Sequence, residues 1–225
     1  MARSGDRLRQ TPRTRLKRRR SRGAFDRATI DAILDEGMVC HLGFAVEGQP
    51  FVTPTLYGRD GDRLLLHGSA ASRALGRLAQ GVAACVTVTL TDGIVLARSA
   101  FHHSINYRSV VLLGTASAIE DPDRKRDAVR TFTERMVPGR WDDVRPPTAA
   151  ELRATAVLEM PIEEGSAKAR TGPPLDDEAD LELGCWAGVI PLATRPGRPE
   201  PAPELGPEIE LPGYVEAYGR PEGTP

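Results

Sequence analysis

The feature that most constrains the fold of this chain is a series of short segments in which apolar and polar residues alternate. Residues 82–90 show the pattern most clearly, because every second side chain is apolar and a cysteine and two threonines lie between them. An alternation with a period of two is typical of a β-strand with one buried face. Similar segments at 38–46, 51–57 and 63–67 are separated by turn-forming residues, which predicts an antiparallel meander.

Further strands and several helices follow from the same kind of pattern. The strands are expected at 94–100, 107–120, 156–162 and 185–192. The helices, which show apolar residues three or four apart between capping residues, are expected at 26–37, 69–80, 121–137 and 148–153. Because the strands follow one another with little helix between them, closure into a barrel would remove the edges of the sheet. The predicted fold class is mainly β with peripheral helices (α+β).

Length and composition favour one folded domain with two tails. A chain of 225 residues can bury a sizeable core, and it contains no apolar run long enough to span a bilayer. We expect a basic, disordered arm at 1–22, the folded domain at 23–195, and a Pro-rich tail at 196–225 that wraps a surface or remains disordered. The N-terminus lacks the apolar stretch of a secretory signal, so a cytoplasmic protein without membrane contact is expected.

The basic arm raises the question of nucleic-acid binding. Residues 1–20 hold nine Lys and Arg side chains against one acidic residue, although the net charge of the whole chain is −1. A run such as Lys17-Arg18-Arg19-Arg20 can neutralise phosphates. Such runs are more often solvated, however, and no aromatic residue lies among these charges to stack on bases. We therefore expect no nucleic-acid partner.

Cysteines and histidines give little support for a metal site. The three cysteines are widely spaced, form no Cys-x-x-Cys pair and are expected to be reduced, buried thiols: Cys40, Cys85 and Cys185. His102 and His103 are consecutive and would point to opposite faces of a strand, so they cannot easily share one ion. His41 and His67 each lie in an apolar strand, where a core or rim histidine is the ordinary explanation and a haem ligand is the alternative.

A candidate phosphate site lies where the helix at 69–80 begins. The N–H groups of a first helical turn have no partner within the helix, and the helix dipole favours an anion there. The hydroxyls of Ser69 and Ser72 and the charge of Arg73 would complete such a site. A simple helix cap beside an exposed arginine explains the same residues, and caps are far commoner than phosphate sites.

The segment at 98–109 carries many polar side chains within an otherwise apolar sheet. Each would cost roughly a few kcal/mol if it were buried without a partner, so these side chains should face water or a polar ligand. A later segment, 166–174, is expected to be a loop whose Lys168 and Arg170 could close over a phosphate or a carboxylate. Trp186 is either a core residue or an aromatic plane that packs against a ring system.

Several short motifs, taken in chain order, resemble one family. Hydrolase, kinase and Rossmann signatures are absent from the sequence. The motifs that carry the resemblance are His41-Leu42-Gly43-Phe44, Gly48-Gln49-Pro50, Leu66-His67-Gly68-Ser69 with Ser72-Arg73, residues 95–104, Asn106-Tyr107-Arg108-Ser109-Val110, residues 166–170 and residues 186–191. This set resembles the flavin-nucleotide-binding branch of the pyridoxamine 5′-phosphate oxidase-like superfamily, which includes the nitroimidazole-resistance proteins.

The resemblance implies a split β-barrel, a homodimer and FMN bound at the subunit interface. It implies that Ser69, Ser72 and Arg73 hold the phosphate, with His67 in the same motif. It implies that the ring and ribityl chain are lined by Thr53, Thr55, Arg98, Ser99, Asn106, Tyr107, Arg108 and Ser109. It also implies that Lys168, Arg170 and Trp186 approach from the partner subunit or a closing loop.

The resulting hypothesis is a flavin-dependent oxidoreductase that acts on an unidentified small molecule, with FMN supplying the redox chemistry. His102, His103 and Tyr107 are the candidates for proton transfer, because a general acid must reach the reacting group. Deazaflavin and haem are the alternative cofactors, because the superfamily includes proteins of both kinds and the fold does not select among them. The alternative function is non-enzymatic flavin or haem binding in storage, sensing or haem handling.

Overall fold

The computed structural model describes residues 6–219, which form one ten-stranded sheet with short helices around it. The strands are β1 (Gly23–Ala24), β2 (Val39–Val46), β3 (Gln49–Asp60), β4 (Arg63–Ser69), β5 (Ala83–Leu96), β6 (Ser104–Thr115), β7 (Ser117–Ala118), β8 (Thr155–Pro161), β9 (Glu164–Arg170) and β10 (Gly188–Pro191). The α-helices are α1 (Arg27–Glu36), α2 (Arg73–Ala79), α3 (Pro122–Met136), α4 (Ala149–Ala154) and α5 (Gly213–Glu216). The first residues of the predicted arm and the last residues of the predicted tail lie outside the described range.

The strands pair antiparallel in the order β1-β9-β6-β5-β2-β3-β4-β8-β7, and β10 lies beside β5. β2 and β3 form a hairpin through Glu47 and Gly48, whose φ angles of 52° and 81° are those of a tight two-residue turn. The path begins at β1 and ends at β7, so hydrogen bonds do not close it into a cylinder. The fold is a split β-barrel with peripheral helices, which confirms the predicted fold class, whereas the expected full closure is not found.

Three predicted helices are confirmed, and each begins at a residue whose side chain caps it. Asp26 accepts a hydrogen bond from the backbone N–H three residues later at 2.8 Å, and Asp121 does the same for α3. Thr148 and Glu151 form a reciprocal capping box at the start of α4. These contacts satisfy N–H groups that have no partner inside the helix, so the capping residues set where each helix starts.

Helix α2 is shorter than predicted. It begins at Arg73, and the hydroxyl of Ser72 accepts a hydrogen bond from the backbone N–H of Leu75 at 3.4 Å. Ser69 instead ends β4, where it pairs with Thr155 of β8. The backbone at Ser69 is therefore held in an extended conformation by the sheet, and the helix starts later.

One long strand replaces two predicted strands. β5 continues through the residues that were expected to separate the strands at 82–90 and 94–100, and it pairs with β6 along nearly its whole length. The register shifts between Thr91 and Gly93, which leaves Asp92 in a β-bulge. The Thr-Asp-Gly sequence is typical of a turn, but the continuous partner strand keeps it within the sheet.

The prediction of a loop at 166–174 is wrong for its first part, which belongs to β9 beside β6. The side chains of β9 are too weakly hydrophobic to show an alternation. Close packing against β6 requires them to be small. A Cβ atom on Gly165 would lie 2.6 Å from the carbonyl oxygen of Val111. Lys168 and Arg170 therefore lie on a strand and not on a closing loop.

The sheet has one buried face, and helix α3 covers part of the opposite face at β4 and β8, where Leu65, Phe132 and Val157 belong to a second hydrophobic cluster. The buried positions that form the core include Cys40, Leu42, Val86, Val88, Val110 and Leu112. Residues that alternate with them point outwards, and the large apolar ones are exposed: Val39, Val52, Ile94, Ile105 and Ile190. We call the outer face the surface formed by these five residues together with His41, Thr89, Tyr107, Ser109 and Lys168. Such an extended exposed apolar surface is typical of an interaction site.

The basic arm packs on the domain over most of the part that the structure describes. Leu8 is 6% exposed and belongs to the main hydrophobic core. The buried carboxylate of Glu164 accepts hydrogen bonds from the hydroxyl of Thr11 at 2.5 Å and from Arg13 at 2.7 Å. The prediction of a disordered arm therefore does not hold for residues 6–16, because these contacts fix them to the edge of β9.

The described part of the Pro-rich tail follows the surface, which is one of the two alternatives considered for it. The backbone N–H of Leu192 donates to the carbonyl of Asp92 at 3.0 Å and extends the pairing of β10 with β5. In α5, the hydroxyl of Tyr214 bonds to Asp143 and accepts from Arg140 at 2.9 Å. The residues that lead into the tail are thus held at Leu192, and the tail itself is anchored at Tyr214.

We expect Leu8→Ala to lower the free energy of unfolding by about 2–4 kcal/mol, because it leaves a cavity in the core. Gln10→Ala is the matched control, since Gln10 is exposed two residues away, and it should change stability by less than about 0.5 kcal/mol. Urea unfolding followed by circular dichroism measures both. Equal stability of the two variants would show that the arm is not docked in solution.

Candidate functional site

Polar side chains from three adjacent strands meet on the outer face, and we call them the polar strip: Thr89, Tyr107, Ser109 and Lys168. The register pairs Thr89 of β5 with Ser109 of β6, and Ser109 with Lys168 of β9. Tyr107 lies two residues before Ser109 and so points to the same side. Lys168 is half-buried, and its ammonium forms no ion pair with any residue in the range 6–219. A partly desolvated cation without a counter-charge favours an anionic ligand.

A cavity of about 980 Å³ opens beside this strip, where α1 ends and β5 bulges. Its wall includes Val39, Thr89, Thr91, Asn106, Arg108 and Gly172. The C-terminal segment around residues 192–196 forms another side of it. Cofactor and small-molecule pockets commonly measure roughly 300–1,000 Å³, so this cavity has the size of such a site.

Arg108 is fixed at the edge of the cavity between two carboxylates. Its guanidinium donates to both oxygens of Asp92, at 2.8 and 3.0 Å, and to both oxygens of Glu36. The hydrogen bonds to Asp92 and then those to Glu36 raise the pKa of Arg108. Because its charge is already compensated, Arg108 joins the end of α1 to the bulge of β5 and is not a free anion-binding group.

Arg170 closes the turn that follows β9. Its side chain is almost fully buried and donates to the amide oxygen of Asn106 and to the carbonyls of Gly172 at 3.2 Å and Pro173 at 3.0 Å. Burial, and secondly the nearby charge of Arg22, lowers the pKa of Arg170. No carboxylate within residues 6–219 pairs with it. Asn106 and Arg170 are therefore in direct contact, beside the turn that follows β9.

Arg98 anchors the loop that follows this turn. Its backbone N–H donates to Asp176 at 2.8 Å, and its guanidinium donates to the other carboxylate oxygen at 2.7 Å. The Asp176 side chain is only 2% exposed. The backbone N–H of Arg98, aided by its guanidinium, lowers the pKa of Asp176. Arg98 thus holds a loop of this chain in place.

The two consecutive histidines lie on a 3-10 turn at Ala100–His102 and just after it, and not on a strand. The His102 ring lies 3.2 Å from Asp177, and Nδ1–H of His103 donates to the carbonyl of Ser99 at 2.9 Å. Each ring therefore has its own partner. Of the three candidates for proton transfer, Tyr107 lies on the polar strip, and the two histidines lie in the connection between β5 and β6.

The proposed phosphate residues lie at the end of another strand of the sheet, away from Arg98. His41 of β2 pairs with Thr87 of β5 and with Pro54 of β3, and the next part of β3 pairs with β4, so the end of β4 lies level with the middle of β5 and is separated from it by β2 and β3. Ser69 and Ser72 accept hydrogen bonds from backbone N–H groups of their own segment. Within residues 6–219, neither they nor Arg73 form a side-chain hydrogen bond or ion pair with Arg98.

The remaining predicted residues are placed separately. Thr53 and Thr55 lie on the part of β3 that has β2 on one side and no strand on the other within the described chain. The His67 ring packs 4.2 Å from Phe132 of α3, and burial lowers its pKa. Trp186 is neither a core residue nor a pocket wall, because it is 67% exposed and folds over Gly188.

The cysteines differ in exposure. Cys40 is buried in the core, and burial raises the pKa of its thiol to about 12. Cys85 is half-buried and Cys185 is exposed, so the expectation that all three are buried is wrong for Cys185, which lies in the loop before β10. All three are free thiols.

Sequence reasoning missed the acidic residues of the site. Glu36, Asp92 and Asp176 each fix an arginine that had been assigned to a cofactor. Glu36 ends a helix, Asp92 occupies a turn-like sequence and Asp176 lies in an acidic loop, so nothing in the sequence separates them from surface residues. Their partners are distant in the chain, and only the sheet register brings them together.

Within residues 6–219, no group of three or more His, Cys, Asp and Glu side chains is arranged to hold a metal ion. None of the helices in that range is both long and apolar enough to cross a membrane.

The fold and the polar strip define the chain as a split-barrel protein with a ligand-sized cavity beside its outer face. Residues 26–169 match the family model described as pyridoxamine 5′-phosphate oxidase. The chain belongs to this family, since the match covers more than half of it. A sequence search among curated proteins found no match.

Solved structures with the same fold include close relatives. The flavocytochrome Anf3 from Azotobacter vinelandii is 44% identical, with a TM-score of 0.87 over 92% of this chain and 96% of its own. The FAD and heme binding protein from Mycobacterium smegmatis is 38% identical, with a TM-score of 0.84 over 87% of this chain and 96% of its own. A protein from Bacteroides thetaiotaomicron described as a 5-nitroimidazole antibiotic resistance protein is 22% identical, with a TM-score of 0.56 over 65% of this chain and 85% of its own, and shows likeness of fold alone.

We expect Asp176→Asn to release the loop at 171–187, because the lost charge weakens both bonds to Arg98. Hydrogen exchange in that loop should become faster, whereas Asp177→Asn, which removes only an exposed contact to His102, should leave it unchanged. In the wild type the anchor should be complete above the ordinary Asp pKa of about 4 and be lost as the pH falls through the lowered pKa of Asp176. Unchanged exchange in Asp176→Asn would contradict the anchoring role.

Proposed function

We propose that this protein is a homodimeric flavin-binding redox protein whose flavin lies against the outer face. The observation that carries the proposal is the 44% identity with a flavocytochrome over 92% of the chain. Membership in the pyridoxamine 5′-phosphate oxidase family supports it further. The proposed activity is that of an oxidoreductase acting on a small molecule, with the flavin supplying electron transfer.

The residues on the outer face fit a flavin. The polar edge of the ring needs both donors and acceptors, and the hydroxyls of Thr89, Thr91 and Tyr107 supply both. Lys168 is a half-buried cation without an ion pair in the described chain, so it suits an anionic group of the ligand. The apolar side chains at Val39 and Ile105 would exclude water from the ring.

The phosphate would be held by the other subunit. Ser69, Ser72 and Arg73 do not line the cavity, and β2 and β3 lie between their strand and β5. A two-fold axis across the outer face would place these three residues of one chain beside the cavity of its partner. The exposed apolar residues of the outer face, Val39, Val52, Ile94, Ile105 and Ile190, would then be buried between the subunits.

The residues of the chain would orient the ligand and handle protons. Tyr107 is the proposed proton donor, because its hydroxyl belongs to the strip beside the cavity, and His102 and His103 are the further candidates at the corner. Arg98 and Arg108 are proposed as positioning residues, which act through Asp176 and through the pair of Glu36 and Asp92. Thr53 and Thr55, on the free edge of β3, are proposed to contact the ribityl chain.

Haem binding is the second candidate function. It is favoured by the two most similar structures described above, one named a flavocytochrome and the other an FAD and heme binding protein. A protein that carries both groups would transfer electrons between them. Imidazole is a common axial ligand of haem iron, and the proposed sources are the exposed His41 and His103 and the half-buried His102.

The visible spectrum of the purified protein tests the function. We expect a flavin band, and reconstitution of the apoprotein with FMN and FAD in parallel shows which form binds. The resemblance implies FMN, and the Mycobacterium smegmatis relative is named for FAD. A Soret band beside the flavin band supports haem binding, the second candidate. The apoprotein is also reconstituted with a deazaflavin, as the third ligand. A protein that takes up none of these would contradict the proposal.

Arg73→Ala should weaken flavin binding by roughly 10- to 150-fold, the effect of losing one charge-assisted hydrogen bond. Arg77→Ala is the control, because Arg77 is exposed one turn later on the same helix. Lys168→Met should weaken binding similarly. Fluorescence titration of the apoprotein with flavin measures all three variants. Equal flavin affinities of Arg73→Ala and Arg77→Ala would show that Arg73 does not hold the phosphate.

Mixing the two weakened variants tests whether the site is shared. In a mixed dimer of Arg73→Ala and Lys168→Met chains, one of the two shared sites has both wild-type residues. Co-refolding should therefore restore tight flavin binding at roughly a quarter of the sites, as random pairing of subunits gives. If no tight sites reappear, Arg73 and Lys168 belong to the same chain's site and the shared arrangement is wrong.

A further inference from the structure

The basic segment and the end of β9 enclose a second cavity of about 430 Å³. Ser21 and Arg22 line one side, and Arg170 and Thr171 line the other. Small and apolar residues, among them Ala24, Pro173 and Leu175, complete the wall. The cavity therefore combines two guanidinium groups and two hydroxyls with an apolar surface.

The positive charge at this cavity is not compensated. Arg170 is 5% exposed and donates to neutral acceptors, and no carboxylate in residues 6–219 pairs with it. Arg22 likewise forms no ion pair within that range, and neither do the four basic residues at 17–20. Arg22 lies close enough to lower the pKa of Arg170 further. Two neighbouring cations, one of them buried, create a positive potential that a bound anion would relieve.

This cavity is distinct from the one proposed for the flavin ring. The turn at 170–173 separates them, because Thr171 lines both and Arg170 lines only the smaller one. The basic segment contributes one side of the smaller cavity, through Ser21 and Arg22. The arm docks at Glu164, and its continuation then carries Arg22 to the end of β9, beside Arg170.

The geometry points to a second ligand site, in which Arg22 and Arg170 bind a phosphate or carboxylate group of a small organic molecule and the hydroxyls of Ser21 and Thr171 donate to it. The cavity is larger than a bare oxyanion requires, and its apolar wall would contact the organic part of the ligand. Guanidinium groups suit this chemistry because their fork of N–H donors matches the geometry of both oxyanions. This site does not depend on the proposed function.

Calorimetric titration of the purified full-length protein, saturated with its cofactor, tests the site with inorganic pyrophosphate and, in parallel, with malonate. We expect Arg22→Gln to weaken binding by about 10-fold or more, as loss of one charged hydrogen bond predicts. Arg18→Gln removes an equal charge from the exposed part of the same segment and should change affinity less than twofold. Arg22→Lys should restore part of the affinity. The flavin content of each variant, read from its absorbance, is expected to stay at the wild-type level.

The parallel titrations identify the chemistry of the ligand. Tighter binding of pyrophosphate assigns the site to a phosphorylated molecule, and tighter binding of malonate assigns it to a carboxylate. If the apoprotein binds pyrophosphate and the flavin-loaded protein does not, the anion is the cofactor's own phosphate. Absence of binding to the wild type overturns the inference. Equal losses of affinity in Arg22→Gln and Arg18→Gln also overturn it. So does binding of a single-stranded oligonucleotide that is tighter than binding of either anion, if the two substitutions weaken it equally.

Discussion

The pairing of β5 with β6 is the constraint on which the rest of the structure depends. These two long strands pair from one end of the sheet to the other, β2 and β9 are attached to their outer sides, and β10 is attached to the end of β5. Their alternation fixes which side chains form the core and which form the outer face. The bulge at Asp92 interrupts the ladder once and turns a carboxylate towards Arg108. Asp92 is thereby linked to the end of α1 through Arg108 and to the C-terminal segment through the N–H of Leu192.

The order of the strands decides how a site can be built. Candidate ligand residues lie in two separate places, with Ser72 and Arg73 after β4 and Tyr107, Ser109 and Lys168 on β6 and β9. In the proposed dimer a second chain would bring the two groups together. The exposed apolar residues of the outer face fit this proposal, because that chain would bury them. Dimerisation and cofactor binding would then stabilise each other.

Much of the fold could be predicted because its signals are local. The strands at 38–46 and 63–67 show their alternation directly, and the helices at Asp26 and Asp121 begin at residues that cap them in the structure. The failures have a common cause. β9 and the docked arm are stabilised by small or charged side chains, such as Gly165 and Glu164, whose partners are far away in sequence. Periodicity cannot reveal a strand whose packing depends on closeness of the backbone.

The candidate site shows the same division. The class of fold, the family and the residues that carry polar chemistry follow from the amino-acid sequence, because they depend on local patterns and ordered motifs. The partners of the three arginines follow from the folded chain alone: Arg98 is held by Asp176, Arg108 by Asp92 and Glu36, and Arg170 by Asn106. The charge of an arginine is visible in the sequence, but the group that compensates it is chosen by the sheet register. That register also placed Arg22 beside Arg170.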